Sequence, residues 1–346
     1  ELCEAGLKTL VLERGRMVKH IEDYVTANKD PWDFPNAGAP TKEIIEQQPK
    51  QNRTGYTTSQ ASNMWFVNDK EHPYNETKRF DWMRGYHVGG RSLQWGRHSY
   101  RWSDIDFTAN KKENIAVDWP VRYKDISPWY DKVESYIGVS GETLGLAQLP
   151  DGTKQFDGRS KCQFRNRCIR GCPFGAYFSS LSSTLPAAEA TGNMTLRPDS
   201  IVHEVIYDPK TKKATGVKVI DRVTKETYEF KAKVIFLCAS AIASTSILMQ
   251  SKSDTFPNGM GNESDQLGRN IMDHHLGVGA RGNFDGFEDK FYKGRKPNGI
   301  YIPRFRNLGG DSNTTAYKRG FGYQGGASRG NWEDSVAEFA YGAEMK

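Results

Sequence analysis

Two stretches carry residues whose types and spacing could do chemistry. In Gly85-Tyr86-His87-Val88-Gly89-Gly90-Arg91-Ser92-Leu93-Gln94-Trp95-Gly96-Arg97, four glycines fall within twelve residues beside a tryptophan. Glycine tolerates positive φ and close ligand approach, and successive N–H groups in such a turn form an anion nest. The expected occupant is a phosphate or an electron-rich ring. A plain glycine-rich surface loop competes on glycine content alone, but the following Ser99-Tyr100-Arg101-Trp102-Ser103-Asp104-Ile105-Asp106-Phe107 is too aromatic for a solvated linker. The second stretch is Cys162-x5-Cys168-x3-Cys172-Pro173, with Lys161, Arg165, Arg167 and Arg170 interleaved. Neighbouring positive charge is expected to lower thiol pKa values and favour thiolates, which bind soft metals. Four readings stand side by side: zinc, which usually wants a nearby fourth ligand; a disulfide with one thiol left over; unpaired structural thiols; and an iron–sulfur cluster, since clustered cysteines ending in Cys-Pro are a ferredoxin habit.

The elements that must position these residues follow from patterning. Glu1 to Gly6 reads as the end of a helix, and Lys8 to Glu13 as a buried strand ending in an acid, before Arg14 and Gly15. This is the second half of a βαβ dinucleotide unit, in which the acid accepts from adenosine ribose hydroxyls. Residues 16 to 80 read as irregular, with a short helix at Thr41 to Gln48. Ser127-Pro128 reads as an N-cap and first helical residue, with Trp129, Val133, Tyr136 and Ile137 on the inner face and Gly138 as the stop. Leu185 to Ala190 reads as a helix closed by Gly192. Strands are expected at Met194 to Arg197, Ile201 to Tyr207, Gly216 to Ile220 and Thr227 to Phe230, with a hairpin turn at Asp208 to Lys213. Lys233 to Cys238 is an apolar run typical of a strand buried on both faces. It leads through Ala239-Ser240-Ala241 into a helix from Ile242 to Gln250, another place where backbone N–H groups can meet a phosphate.

The 346 residues, 37% hydrophobic, suffice for one large or two ordinary domains. No run approaches the ~18 apolar residues of a membrane span, and no N-terminal segment reads as a signal peptide. The net charge of +6 is spread along the chain without a long basic block, so it argues weakly for anionic partners and hardly at all for nucleic acid, and no nucleic-acid partner is expected. The 8 Trp, 16 Tyr and 17 Phe suit sugar surfaces, though most will be core.

The Gly89-Gly90-Arg91-Ser92 turn and its sequel resemble the flavin-embracing loop of the glucose-methanol-choline (GMC) oxidoreductases, nearest the branch of pyranose oxidases and bacterial sugar dehydrogenases. The place of the histidine that links FAD covalently in pyranose oxidases is held here by Gln94, so the resemblance implies a noncovalent flavin. It also implies contacts to the cofactor from Glu13, Arg14, Val88, Gly89, Gly90, Ser92, Gln94, Trp95 and Gly96. Cys238 to Thr245 is similar to a family segment reading Ala-Ala-Gly-Ala-Ile-Gly-Ser-Pro; by that analogy Ala239 and Ser240 meet a phosphate and Val202 sits beside the adenine. The large subunits of bacterial FAD-dependent sugar dehydrogenases carry a similarly spaced cysteine triplet that holds a three-iron four-sulfur cluster, which would make Cys162, Cys168 and Cys172 its ligands. Leu267 to His275 is similar to the family's Gly-x-Asn-x-x-Asp-His segment. For His274-His275 a structural or flavin-adjacent role outranks a metal site, because neighbouring side chains diverge on an extended chain.

What the resemblance implies is an α/β chain: an FAD-binding Rossmann-like domain (1–20, 81–110, 155–282) with a substrate-side α+β domain in the lid and substrate segments (21–80, 111–154, 283–346). No histidine follows His275, and no Gly-x-Gly-x-x-Gly precedes Glu13. The chain is therefore expected to be an internal fragment whose catalytic histidine pair lies outside it. The expected enzyme oxidises a CH–OH group of a sugar or glycoside and passes electrons through the cluster to a cytochrome c-type acceptor, with a small subunit as partner, in the periplasm or else the cytoplasm. An oxygen-using oxidase with structural cysteines and a non-catalytic assembly subunit are the alternatives.

Overall fold

The computed structural model describes residues 1–326 except 56, 140, 142, 153–159, 164, 166, 273–277, 283–284 and 287–298. In chain order its elements are β1 (Thr9–Leu12), α1 (Lys42–Gln47), α2 (Asp104–Glu113), α3 (Tyr123–Ile137), α4 (Thr184–Ala190), β2 (Met194–Arg197), β3 (Ser200–Asp208), β4 (Lys213–Asp221), β5 (Thr227–Lys231), α5 (Ala241–Gln250), β6 (Ile300–Ile302) and β7 (Tyr323–Gly325). They fall into two compact units. The first comprises Glu1–Val18, Met83–Gly90 and Pro186–Asp289, the second Lys19–Trp82, Arg91–Leu185 and Lys290–Lys346. The class is α/β, as the sequence indicates.

In the first unit β1 pairs parallel with β2, Thr9 opposite Met194 and Leu12 opposite Arg197. Strands β3, β4 and β5 form an antiparallel meander. Along β4 the period of two sends Val217 and Val219 inward while Lys218 turns out to an ion pair with Glu204 (2.8 Å). Gly216 lets β5 approach, since a Cβ there would stand 2.5 Å from the Phe230 carbonyl oxygen. Val205, Val217, Val219 and Ile247 are the core, with Leu12, Val202, Phe230, Leu237 and Met260 packed on it. The hairpin turn is made as its residues imply, Asp208 accepting from the Lys210 N–H and the Thr211 hydroxyl.

The second unit is held by hydrogen bonds from buried side chains to backbone, which satisfy carbonyls that no regular element pairs. Gln48 Nε2 donates to the carbonyls of Phe66 (3.1 Å) and Val67 (3.0 Å). Gln51 donates to Asp69 and to the Trp82 carbonyl. Trp65 is almost completely buried and meets Tyr24 edge to face at 6.0 Å. Helix α1 starts on the Thr41 cap, as expected. Strands β6 and β7 pair antiparallel in a region that sequence patterning left unassigned.

Several expectations are corrected. Glu1 to Gly6 is a run of turns rather than an α-helix, although Gly6 has the left-handed φ of a helix stop (79°). β1 is only half-buried, having a single strand neighbour among the described residues. Lys233 to Cys238 forms no strand: Ile235 and Leu237 pack on the core while Val234 and Phe236 are exposed. The alternation is that of an extended chain, but a strand exists only where a neighbour takes its hydrogen bonds. The Ser103/Asp106 capping box opens α2 in a stretch to which patterning assigned no element. Helix α3 starts at Tyr123 and runs through Pro128, so Ser127 is not its cap. Its face is also reversed: Trp129 (62%) and Val133 (52%) are exposed, while Glu134 (6%) is buried. The reason is Arg101, itself buried, whose guanidinium grips Glu134 through Nε (2.9 Å) and Nη2 (2.7 Å). No helix among the described residues is long and apolar enough to cross a membrane.

Candidate functional site

The first unit gathers residues far apart in sequence. Beyond β1 the backbone of Glu13 continues the pairing, its N–H donating to Arg197 and its carbonyl accepting from Ser200 (2.8 Å). The Glu13 carboxylate accepts from the Gly15 N–H at 2.8 Å. Burial pushes its pKa up, against the pull of that N–H and of Arg14. The Arg14 guanidinium lies over the Tyr86 ring, 3.9 Å from its centroid. At Gly15 a Cβ would stand 1.9 Å from the Tyr86 carbonyl carbon, so only glycine lets the two segments cross. Arg16 bridges to His87, and the buried Val88 donates to the Arg16 carbonyl (2.9 Å). The acid after β1 and the glycine turn are thereby brought together in one unit. Gly89 (φ 91°) and Gly90 (φ 48°) take the left-handed conformation, and open space faces Gly90 where a Cβ would be.

At the start of α5, Ala239 and Ser240 are exposed, and no side chain caps the helix. Ser240 has φ 73° and ψ 165°, a region nearly reserved for glycine. The turn keeps the glycine-like backbone although its residue is serine. Val202 is half-buried against the core of this unit.

In the second unit the residues after Gly90 are zipped to the cysteine segment. Ser92 Oγ accepts from the Ser180 N–H (3.0 Å) and pairs with the Ser180 hydroxyl (3.0 Å). Trp95 Nε1 donates to the Phe178 carbonyl (3.0 Å), and Gln94 Nε2 to that of Ile169 (3.0 Å). The Tyr177 hydroxyl lies between two carbonyls, Leu93 at 3.1 Å and Cys168 at 3.2 Å. Arg97 stands 4.6 Å over the Tyr177 ring. Burial pushes the Tyr177 phenol up to about 12. Leu93 is fully buried, whereas Gly96 faces open space. Tyr177 and Arg97 were not legible as site residues, because their partners lie eighty or so positions away in the chain.

Among the described residues no cysteine forms a disulfide. Cys162, Cys168 and Cys172 are close enough to influence one another's charge, but burial raises Cys168 against the pull of Arg97. The expected thiolate enhancement is thus corrected at this position: Arg165 bonds Ala27 and Asn28, Arg167 pairs with Asp30, and Arg170 donates to the Lys29 carbonyl (2.6 Å). Those cations face the 26–30 segment instead of serving the thiols. Among the described residues no three His, Cys, Asp or Glu side chains are placed to hold a metal ion. The donor set has the chemistry for a soft metal, yet its placing does not fit one as it stands. Of the Leu267 to His275 segment, residues 273–275 lie outside the described residues; Ile271 and Met272 are exposed.

For a flavin nucleotide the fit is better. The first unit offers an acid held at a strand end, two left-handed glycines and a helix start of glycine-like geometry that no described side chain caps.

Comparison with known proteins points the same way. The family model described as GMC oxidoreductase matches residues 52–276. Relatives include the fructose dehydrogenase large subunit of Gluconobacter japonicus, 24% identical over 54% of this chain and 41% of that one. A 2-methyl-1,2-propanediol dehydrogenase of Mycolicibacterium austroafricanum is 25% identical over 55% of this chain and 41% of its own. Paromamine 6'-oxidase of Streptomyces fradiae is 25% identical over 53% and 40%. The chain spans about two-fifths of the length of these relatives.

Proposed function

Because the chain belongs to the GMC oxidoreductase family, we propose that it is the flavin-carrying part of an FAD-dependent enzyme that oxidises a CH–OH group of a sugar or glycoside. The observation that carries this reading is the junction of Glu13, Arg14 and Gly15 with the Val88-Gly89-Gly90 turn, a strand-end acid beside an open left-handed backbone. FAD, when bound, supplies the acceptor for the hydride leaving the carbinol carbon. In this reading Glu13 accepts from the ribose hydroxyls and Arg14, stacked on Tyr86, presents positive charge. Gly89, Gly90, Ala239 and Ser240 let the phosphates approach backbone N–H groups, and Val202 lies on the adenine side. Ser92, Gln94, Trp95 and Gly96 carry the ring side, and Gln94 leaves the flavin noncovalent.

The triplet Cys162, Cys168 and Cys172 is proposed as the ligand set of a three-iron four-sulfur cluster, on its spacing and its thiol chemistry. A small subunit, a cytochrome c-type acceptor and a periplasmic setting complete the proposal. The oxidase reading is favoured by the two relatives named as oxidases. The full-length protein, purified anaerobically, decides between them. We expect acid precipitation to release all FAD to the supernatant, and iron analysis with EPR to show a cluster signal that Cys168→Ser abolishes. Iron-free protein that consumes oxygen with substrate would establish the oxidase instead, and colour retained in the pellet would refute the noncovalent flavin.

A further inference from the structure

The contacts between segment 92–97 and segment 168–180 form a ladder with a consequence for the cofactor. Four successive residues of the first segment are tied to the second: Ser92 to Ser180, Leu93 to Tyr177, Gln94 to Ile169 and Trp95 to Phe178. One of these ties, from Gln94 to Ile169, ends on the tight turn Cys168–Arg170 itself, and a second reaches it through Tyr177. Tyr177 places one hydroxyl between the carbonyls of Leu93 and Cys168, so a displacement of either is felt by the other. Gln94 joins its Nε2 to the Ile169 carbonyl, and its buried Oε1 has no partner among the described residues, an acceptor open to a donor from a bound group.

The turn is itself held from behind. Gly171, at φ 92°, closes it by donating to the Cys168 carbonyl (3.2 Å). A Cβ on Gly171 would stand 2.7 to 2.9 Å from three carbons of the Tyr24 ring. Tyr24 is buried against Trp65 and hydrogen-bonds His20 at 2.9 Å, so it has little room to give. The turn therefore has one well-defined seat, and its only polar fastenings to the Leu93–Gln94 backbone and side chain among those described are Tyr177 and Gln94.

We propose that Gln94 and Tyr177 are positioning residues that couple the seat of the cysteine turn to FAD binding, so that a displacement of the turn weakens the flavin through these two fastenings. The proposal rests on the flavin reading above and not on the cluster. It identifies a role for two side chains whose substitution leaves every thiol in place.

A double-mutant cycle on the full-length protein tests it, with FAD affinity read by flavin fluorescence and the flavin absorption band as a second signal. Gly171→Ala pushes the turn off Tyr24 and is expected to weaken FAD binding about fivefold or more and to shift the band. In a Gln94→Leu, Tyr177→Phe background the same Gly171→Ala change should have no further effect on either signal. If the effects multiply instead, the turn and the flavin are independent and the proposal falls. Should Gly171→Ala fail to fold, Tyr24→Leu removes the ring that seats the same turn and keeps every thiol, and the same two outcomes decide. Wild-type full-length protein that binds no FAD would overturn the flavin reading and the coupling with it, whereas multiplied effects in a protein that does bind FAD overturn the coupling alone.

Discussion

Glu13 is a carboxylate asked to do two things. It caps the Gly15 N–H at 2.8 Å, and in the proposed complex it accepts from ribose hydroxyls. Burial holds its pKa above the ordinary glutamate range. The acceptor form exists only above that raised pKa, so FAD affinity should fall as pH drops through it, at a higher pH than for an exposed glutamate. Glu13→Gln should weaken FAD by about 1 to 3 kcal/mol at neutral pH and flatten this acid limb. Titration of FAD into both forms across acid pH checks it, and an unchanged limb in the variant would assign the pH dependence elsewhere. Ser240 shows the opposite economy of sequence, a side chain where the backbone wants none. Its φ of 73° with ψ 165° costs about 1 to 3 kcal/mol in a non-glycine residue. Ser240→Gly should therefore raise the melting temperature of the holoprotein with FAD still bound. A lowered melting temperature would mean that the serine hydroxyl does more at this turn than its backbone suggests.

At the scale of elements, α3 is fastened by charge rather than by its apolar stripe. Arg101 and Glu134 are both almost fully buried and form a two-point pair, with Asp131 (2.6 Å) and the Tyr123 hydroxyl (3.0 Å) completing the guanidinium's partners. Removing one member leaves the other charged and buried, so Arg101→Met should cost about 3 to 5 kcal/mol in a denaturation experiment. Pairing it with Glu134→Leu should recover much of that loss, because no orphaned charge remains. A double variant as unstable as Arg101→Met alone would show that packing around α3, and not the pair, holds the helix. The ladder from Ser92 to Trp95 belongs to the same scale, since it turns two loops without regular structure into a defined element.

For the molecule as a whole, local chemistry was legible and partnership was not. Strands β2 to β5, the hairpin turn, α4 and α5 follow from period-two patterning, turn residues and glycine stops, all written within a few neighbouring positions. The strand-end Glu13 and the Gly89-Gly90 turn could likewise be singled out from residue type alone, as could the family by its order of motifs. The burial of α3 could not, because an apolar stripe says which face differs and leaves open what stands opposite; only the fold brings Arg101 to Glu134. Nor could the idle state of Lys233 to Cys238 as a strand, since hydrophobicity describes a segment and a ladder needs a neighbour. The interleaved arginines promised activated thiols, yet the fold sends Arg165, Arg167 and Arg170 to the 26–30 segment and buries Cys168. Sequence by itself determined which residues have the chemistry to meet a flavin nucleotide. Tertiary structure decided which of them meet one another, because contact across a hundred residues is set by packing and hydrogen-bond satisfaction that no local pattern records.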